Sequence, residues 1–245
     1  EEKKIAKKKT TSSIQTNFIF PKNKPTTYKK STYTAKKSKI LNEKDFVKAK
    51  DVIKLIKSKN WNGALKTSSK LKNKEFQNLV NWMYLKQNGN RATFGDYQRF
   101  IIKNSDYPRI NRLKYLAEHK IILKNSTPNN IINWFEKNPP LSGIGKIKLA
   151  EAHIAKGNND VNKLIKSGWI NAELSKSDLR YYRSKFKKIL SSEDHIKRAD
   201  YLAWNNKYWD LKRMLRYLPK DEKALYNARQ ILMSNSYGVD KSISD

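Results

Sequence analysis

Apolar residues recur at helical spacing along most of the chain, and no stretch of useful length alternates apolar with polar positions. The densest pattern runs from Ser175 to Ser192 and on to Leu218. Leu179, Tyr182, Phe186, Ile189 and Leu190 form its first stripe. Ser175 opens that stripe, with Asp178 three residues later, close to a capping box in which Asp replaces the usual Glu or Gln. Ser192 is the expected cap of a second helix. Its first turn carries Glu193 and Asp194, where acids meet the positive end of the helix dipole. Ile196, Ala199 and Leu202 make its apolar face. A third helix is expected from Lys207 to Leu218, stopped by Pro219.

The same grammar extends upstream. Phe46, Ala49, Ile53 and Ile56 mark one helix, and Asn60 can cap the next, Trp61 to Leu71. Phe76, Leu79, Val80 and Met83 mark a third, ending at Gly89, a natural left-handed cap. Thr93 caps a helix bearing Tyr97, Phe100 and Ile101. After Pro108 comes a stripe of Ile110, Leu113, Leu116, Ala117 and Ile121. Thr127-Pro128 is a helix start with proline at the first helical position. Its stripe of Ile131, Ile132, Trp134 and Phe135 ends at Pro139-Pro140. Ile147, Ala150 and Ile154 outline a helix up to Gly157, and Val161, Leu164 and Ile165 a short one. The last helix spans about Lys220 to Met233.

About twelve helices with short links predict an all-α chain, since lengths of roughly 10–17 residues are ordinary for globular helices. Tight helix–turn–helix succession predicts an α-solenoid, a superhelix of antiparallel helix pairs in which each pair buries its apolar face against its neighbours. Gly89-Asn90 and Gly157-Asn158 lie 68 residues apart, twice a common helical-pair period.

Residues 1–44 differ from the rest. They carry 13 basic and 3 acidic residues, with Pro21, Pro25 and many Ser and Thr. Such a segment buries too little surface to offset its ordering entropy, so a flexible basic tail is expected. Ile14, Phe18, Ile19 and Phe20, with Tyr28 and Tyr33, are the residues that would dock it as an extended arm. Residues 45–245 form the expected helical domain.

Charge changes this picture most. Among the 245 residues, 53 basic against 22 acidic side chains give a net +31. An excess of that size points to an anionic partner without naming one. Lysines outnumber arginines 43 to 10, which favours diffuse charge over fork-like phosphate recognition. The chain has no cysteine, so disulfides and thiolate metal sites are excluded. No apolar run approaches the ~18 residues of a membrane span. No signal-peptide pattern is expected within these residues.

Candidate chemistry is sparse. Glu193, Asp194 and His195, followed by Arg198 and Asp200, form the densest ionisable cluster. Its functional reading is an acid/base pair or an anion site. Its structural reading is a capped helix start with Arg198 paired to a neighbouring acid, and the lack of a nearby nucleophile or phosphate loop favours that one. His119, His153 and His195 lack the i, i+4 spacing around an acid that marks a zinc helix. Gly143-Ile144-Gly145-Lys146 is too short for a phosphate loop and reads as a helix start. Of six tryptophans, most are expected in helix seams. Trp169, after Gly168 in an expected inter-helix turn, is the candidate exposed aromatic. No metal or cofactor is called for.

Several phrases, in order, resemble the N-terminal superhelical region of the soluble lytic murein transglycosylases of Gram-negative bacteria. They are Leu79-Val80-Asn81-Trp82 through Leu85, Phe100 to Pro108, Ala117-Glu118, and Trp134-Phe135 through Pro139-Pro140. Gly143 to Ala150, Gly157, Gly168-Trp169 and Glu193-Asp194-His195 follow, with Arg198, Asp200, Leu202 and Trp204. Arg213-Met214-Leu215 and Ala228-Arg229 complete the series. The resemblance covers about Trp61 to Asp240 and leaves out the tail. It implies a periplasmic bacterial protein whose signal peptide has been removed. It further implies an enzyme that cleaves between N-acetylmuramic acid and N-acetylglucosamine in peptidoglycan, leaving a 1,6-anhydro sugar.

In that family one glutamate of a C-terminal lysozyme-like domain acts as acid and then base. The glutamate-serine pair that marks it does not occur in this sequence, and neither does such a domain. The expectation is therefore a non-catalytic scaffold or glycan-strand guide, partnered by peptidoglycan and by its own catalytic domain elsewhere. The alternative is a basic helical-repeat module that binds nucleic acid or a partner protein.

Overall fold

The computed structural model describes residues 37–158 and 160–234. Twelve α-helices and one 3-10 turn, with no strand among the described residues, make an all-α chain. In order they are α1 (Glu43–Lys57), α2 (Trp61–Ser68), α3 (Lys74–Leu85), α4 (Phe94–Lys103), α5 (Ile110–Glu118) and α6 (Pro128–Lys137). Then come α7 (Gly143–Ala155), α8 (Asn162–Asn171), α9 (Lys176–Lys185), α10 (Ser192–Trp204), α11 (Tyr208–Met214) and α12 (Lys220–Met233). The anticipated docking arm, Ile14 to Phe20 with Tyr28 and Tyr33, lies outside the described residues.

Side-chain caps set most helix starts. Asn42, Asn60, Asn73, Thr93, Thr127, Ser142, Ser175 and Ser191 each accept a backbone N–H from the first turn. Each such cap contributes about 1 kcal/mol. The cap of α10 is Ser191, not the expected Ser192. Asp194 stands three residues after Ser191 and returns its carboxylate to the Ser191 N–H at 2.9 Å, completing a capping box. Ser192 is then the first helical residue. The third helix of the opening pattern is also shorter than expected. It ends at Met214, and a 3-10 turn over Leu215–Tyr217 carries the chain to Pro219.

Three apolar cores follow one another along the chain. Ala49, Val52, Ala64, Leu71 and Val80 close α1–α3. A second core gathers Leu85, Phe94, Tyr97, Leu113, Ile131 and Trp134 from α3–α6. The third, largest core draws on α7–α12, including Ile147, Ile165, Trp169, Tyr182, Leu211 and Met214. Packing is mostly between chain neighbours, α1 on α2, α4 on α5, α6 on α7 and α7 on α8, with α5 on α7, α8 on α10 and α10 on α12 as longer links. Helix α3 bridges two cores, because Val80 faces the first and Leu85 the second.

Helices α7 and α8 approach closely, and glycines permit it. A Cβ on Gly143 would overlap the backbone of Gly168 and Ala172, and one on Gly145 would overlap the Glu118 carboxylate. Glu118 is buried beneath the start of α7. Its oxygens accept the N–H groups of Leu141 at 2.6 Å and Ser142 at 2.8 Å, and the Ser142 hydroxyl. Burial pushes the Glu118 carboxyl above its ordinary pKa, against those three donors.

Candidate functional site

The five residues of the Glu193–Asp200 cluster share one helix, α10, but the structure does not bring them to one place. Glu193 points to solvent and pairs with Lys197 at 2.6 Å. Asp194 is turned back into the capping box and also meets Lys166 at 3.2 Å. Burial would raise its pKa, but bonds from Ser191 and Lys166 hold it below the usual carboxylate range. Asp200 faces α12 instead, accepting from the Tyr226 hydroxyl at 3.3 Å and Arg229 at 3.2 Å.

Arg198 is the interior member, 1% exposed. It was expected to pair with a neighbouring acid, and it does not. Its guanidinium donates to the carbonyls of Trp169, Ile170 (3.5 Å) and Ala172 (2.9 Å) at the end of α8. The last carbonyls of a helix have no intrahelical partner, and they carry the negative end of its dipole. Arg198 therefore caps α8 from α10, and burial lowers its pKa to about 10. It also lies over the Trp169 ring, 5.1 Å from the centroid.

Trp169 is fully buried, which corrects the expectation of an exposed aromatic. It sits within α8 rather than in a turn, because the helix continues to Asn171. His195 packs on it at 5.4 Å and on Tyr217 at 6.5 Å. Burial, then the positive charges of Arg183 and Arg198, push the His195 pKa down. The imidazole faces two rings and two cations.

Tryptophan placement departs further from expectation. Trp134 joins Trp169 in the core and Trp61 and Trp82 are half-buried, but Trp204 and Trp209 are 72% and 66% exposed. Each stands beside a cation, Arg229 at 4.2 Å from the Trp204 ring and Lys212 at 5.5 Å from Trp209. They lie at the end of α10 and the start of α11, where the short helices leave an outward face uncovered.

Two other ionisable clusters tie helices together. Glu151, buried on α7, takes Lys148 at 3.2 Å and Lys185 at 2.5 Å, with the Tyr182 hydroxyl at 3.5 Å. Burial pushes the Tyr182 phenol far up. Glu173, between α8 and α9, accepts from Tyr115 of α5 at 3.1 Å and from Lys207 at 3.0 Å. The Lys207 bond, set against burial, lowers the Glu173 pKa, while burial and that carboxylate raise Tyr115 to about 12. Among the described residues no group of three or more His, Asp or Glu could hold a metal ion, and no helix is long and apolar enough to cross a membrane.

Polar groups also converge in a groove of about 490 Å³ between α3 and α4. Leu65, Leu85, Ala92 and Phe100 form its floor. Asn78, Asn81 and Tyr84 of α3 make one wall, and Arg99 and Lys103 of α4 the other, with Arg91 at the joining loop. The single carboxylate, Asp96, is already bonded to the Thr93 N–H at 2.8 Å, the Thr93 hydroxyl at 2.7 Å and Arg99 at 2.5 Å. Those bonds outweigh its burial and keep its pKa low.

Tyr84 also lines a neighbouring cleft of about 590 Å³ with Trp61, Lys57 and Lys59. Arg91 lines a further one of about 490 Å³ with Gln98, His119 and Lys120. The three spaces thus adjoin around the Gly89–Thr93 link.

No family model matches the chain, and neither a curated protein nor a solved structure matches it.

The groove was missed in the sequence because its cations are dispersed. Arg99 and Lys103 lie at i, i+4 on the face of α4 opposite Tyr97 and Ile101, and that spacing was the available signal. Arg91 sits in a link that belongs to no periodic stripe.

Proposed function

We propose that this chain is the non-catalytic superhelical region of a peptidoglycan lytic transglycosylase, serving as scaffold and glycan-strand guide for a lysozyme-like domain that cleaves murein to 1,6-anhydro products. The proposed arrangement is an α-solenoid of antiparallel helix pairs in the bacterial periplasm. One observation carries the reading. The phrases that resemble the family fall on joints between helices rather than on a reactive centre. Gly143, Gly145 and Gly168 let α7 and α8 meet, Glu118 receives the start of α7, and Arg198 closes the end of α8 on α10. Joint residues of this kind are what a family of stacked helix pairs would share.

Among the described residues the buried acids Glu118, Glu151 and Asp194 are taken up by backbone hydrogen bonds, ion pairs and a capping box, as suits a scaffold. The uncompensated lysines suit a polymer whose peptide stems carry carboxylates, through attraction that salt screens.

The test incubates the isolated polypeptide with purified sacculi at two salt concentrations. Salt-sensitive pelleting with the sacculi and no release of anhydro-muropeptides is expected. Release of such products by this chain alone overturns the assignment.

A second reading has its own observation. Trp204 and Trp209, exposed beside Arg229 and Lys212, form the stacking-plus-cation pairing that binds single-stranded nucleic acid. It predicts an RNA affinity that falls steeply with salt as counterions are released from phosphates. Tight RNA binding unaffected by added sacculi would replace the murein reading with this one.

A further inference from the structure

We propose that the α3–α4 groove is a binding subsite for one N-acetylated sugar unit of a linear glycan together with a carboxylate of the peptide stem it carries. The choice of glycan rests on the murein reading above, whereas the site rests on the geometry. Three features of the lining define the ligand chemistry.

The first is charge. Arg91 and Lys103 have no carboxylate partner among the described residues, and the one acid in the groove is already bonded to Thr93 and Arg99. A carboxylate entering there meets cations without displacing an ion pair. Arg91 offers a planar fork suited to bidentate contact, and Lys103 a mobile point charge.

The second is neutral polarity. The amides of Asn78 and Asn81 stand on one wall with no partner among the described residues, and each carries both donors and an acceptor. That matches acetamido and hydroxyl groups, which need both. Fully charged walls would suit a phosphate chain better.

The third is the apolar component. The floor of Leu85, Ala92 and Phe100 accepts the C–H face of a ring. Beside it the Trp61 and Tyr84 rings pair at 5.9 Å, half-buried, where the adjoining cleft begins. Tyr84 and Arg91 each border a second cleft, and because the Arg91 N–H donates to the Tyr84 hydroxyl at 3.1 Å, both clefts open beside the same end of the groove.

α3 and α4 touch sparingly, and the Trp82 ring N–H donates to the Pro108 carbonyl, beyond α4 in the chain, at 2.9 Å.

The experiment titrates the whole chain by calorimetry with three probes: a soluble disaccharide-tetrapeptide from peptidoglycan, an uncharged chito-oligosaccharide, and a short single-stranded DNA. Two doubly substituted proteins are compared, Arg91→Ala/Lys103→Ala in the groove and Lys187→Ala/Lys188→Ala on the exposed end of the segment after α9. Both remove two cations from exposed positions, and circular dichroism checks that each remains helical.

The expected result is that the groove variant weakens disaccharide-tetrapeptide binding about tenfold or more, the size expected when charge-assisted contacts are lost. The control should stay within about twofold, and the uncharged sugar should bind more weakly and ignore both variants. Equal weakening by both variants means diffuse attraction and overturns the subsite, while the murein reading stands. Binding to sacculi without binding to the soluble fragment overturns the subsite in the same way. DNA binding that exceeds fragment binding and is lost in the groove variant overturns both.

Discussion

Arg198 and Arg91 are the same side chain put to opposite uses. Arg198 lies inside the α7–α12 block, and its guanidinium is consumed by the carbonyls that end α8. Arg91 lies at the α3–α4 link, and its guanidinium has no partner among the described residues. The contrast extends to the surroundings. The C-terminal block turns polar groups inward, with Glu151 between two lysines and Asp194 in a capping box. The central block around α4 keeps its cations at the rim of an open groove. A large positive charge therefore does not describe a surface by itself. What matters is which cations are occupied by the fold, as Arg198 is, and which stand free, as Arg91 does.

The sharpest test removes the interior charge. Arg198→Ala should lower stability by about 4 kcal/mol, since it opens a cavity and leaves buried carbonyls unpaired. Urea denaturation reads the loss directly. Arg198→Lys should recover only part of it, because one ammonium cannot span carbonyls three residues apart as the fork does. Full recovery by lysine would mean that charge alone, and not the shape of the cap, holds α8 to α10.

A second test uses one substitution in two places. Gly143→Ala puts a Cβ against backbone atoms of Gly168 and Ala172, which cannot move without separating α7 from α8. A loss of about 3 kcal/mol is expected, at the upper end for overpacking. Gly89→Ala meets nothing within 4 Å, but φ there is +69°, so only backbone strain of about 1 kcal/mol is expected. Thermal unfolding of the two variants side by side ranks them. Equal losses would remove the distinction between the tight block and the open link.

The fold was more legible than the site, for a physical reason that these residues display. Helix starts depend on local chemistry, so Asn60, Thr93, Thr127 and Ser175 could be read as caps from their immediate neighbours. The cap at Ser191 was misread by one position because two serines adjoin and only the return of Asp194 chooses between them. Trp169 was misplaced because a helix can run on past Gly168 when its neighbour also offers a glycine, and that neighbour, Gly143, is 25 residues away. Arg198 was assigned an acid because sequence spacing shows side chains, while its partners are main-chain carbonyls of another helix. The groove was invisible for the same cause, since Asn78, Arg91 and Lys103 meet only after α3 and α4 have packed.

Acid should act on the tight block through His195. Burial and two nearby cations hold its folded pKa below the ordinary 6.5, so the unfolded chain takes up the proton more readily. Stability present above about pH 6.5 is therefore lost as pH falls through that value towards the lowered folded pKa. Arg183 and Arg198 face the ring as cations, Asp194 opposes them, and Trp169 and Tyr217 supply the apolar contact. His195→Phe keeps the ring contacts and removes the titration. Urea midpoints at pH 7.5 and 5 should fall less for His195→Phe than for the unsubstituted chain. An identical fall in both would assign the acid sensitivity to other groups.

The smallest expected effect closes the comparison from the other side. Arg91→Ala removes a full charge, as Arg198→Ala does, yet should change stability by less than about 0.5 kcal/mol, the usual range for a surface position without a structural role. The reason is that no bond made by the guanidinium is lost, and the backbone N–H of Arg91, which donates to the Tyr84 hydroxyl at 3.1 Å, survives the substitution. Repulsion among neighbouring cations also falls, which pushes slightly towards higher stability at low salt. Denaturation at low and high salt separates the two contributions. A loss at high salt comparable to that of Arg198→Ala would show that Arg91 is a joint residue like its counterpart, and the groove would then keep only Lys103 as a free cation.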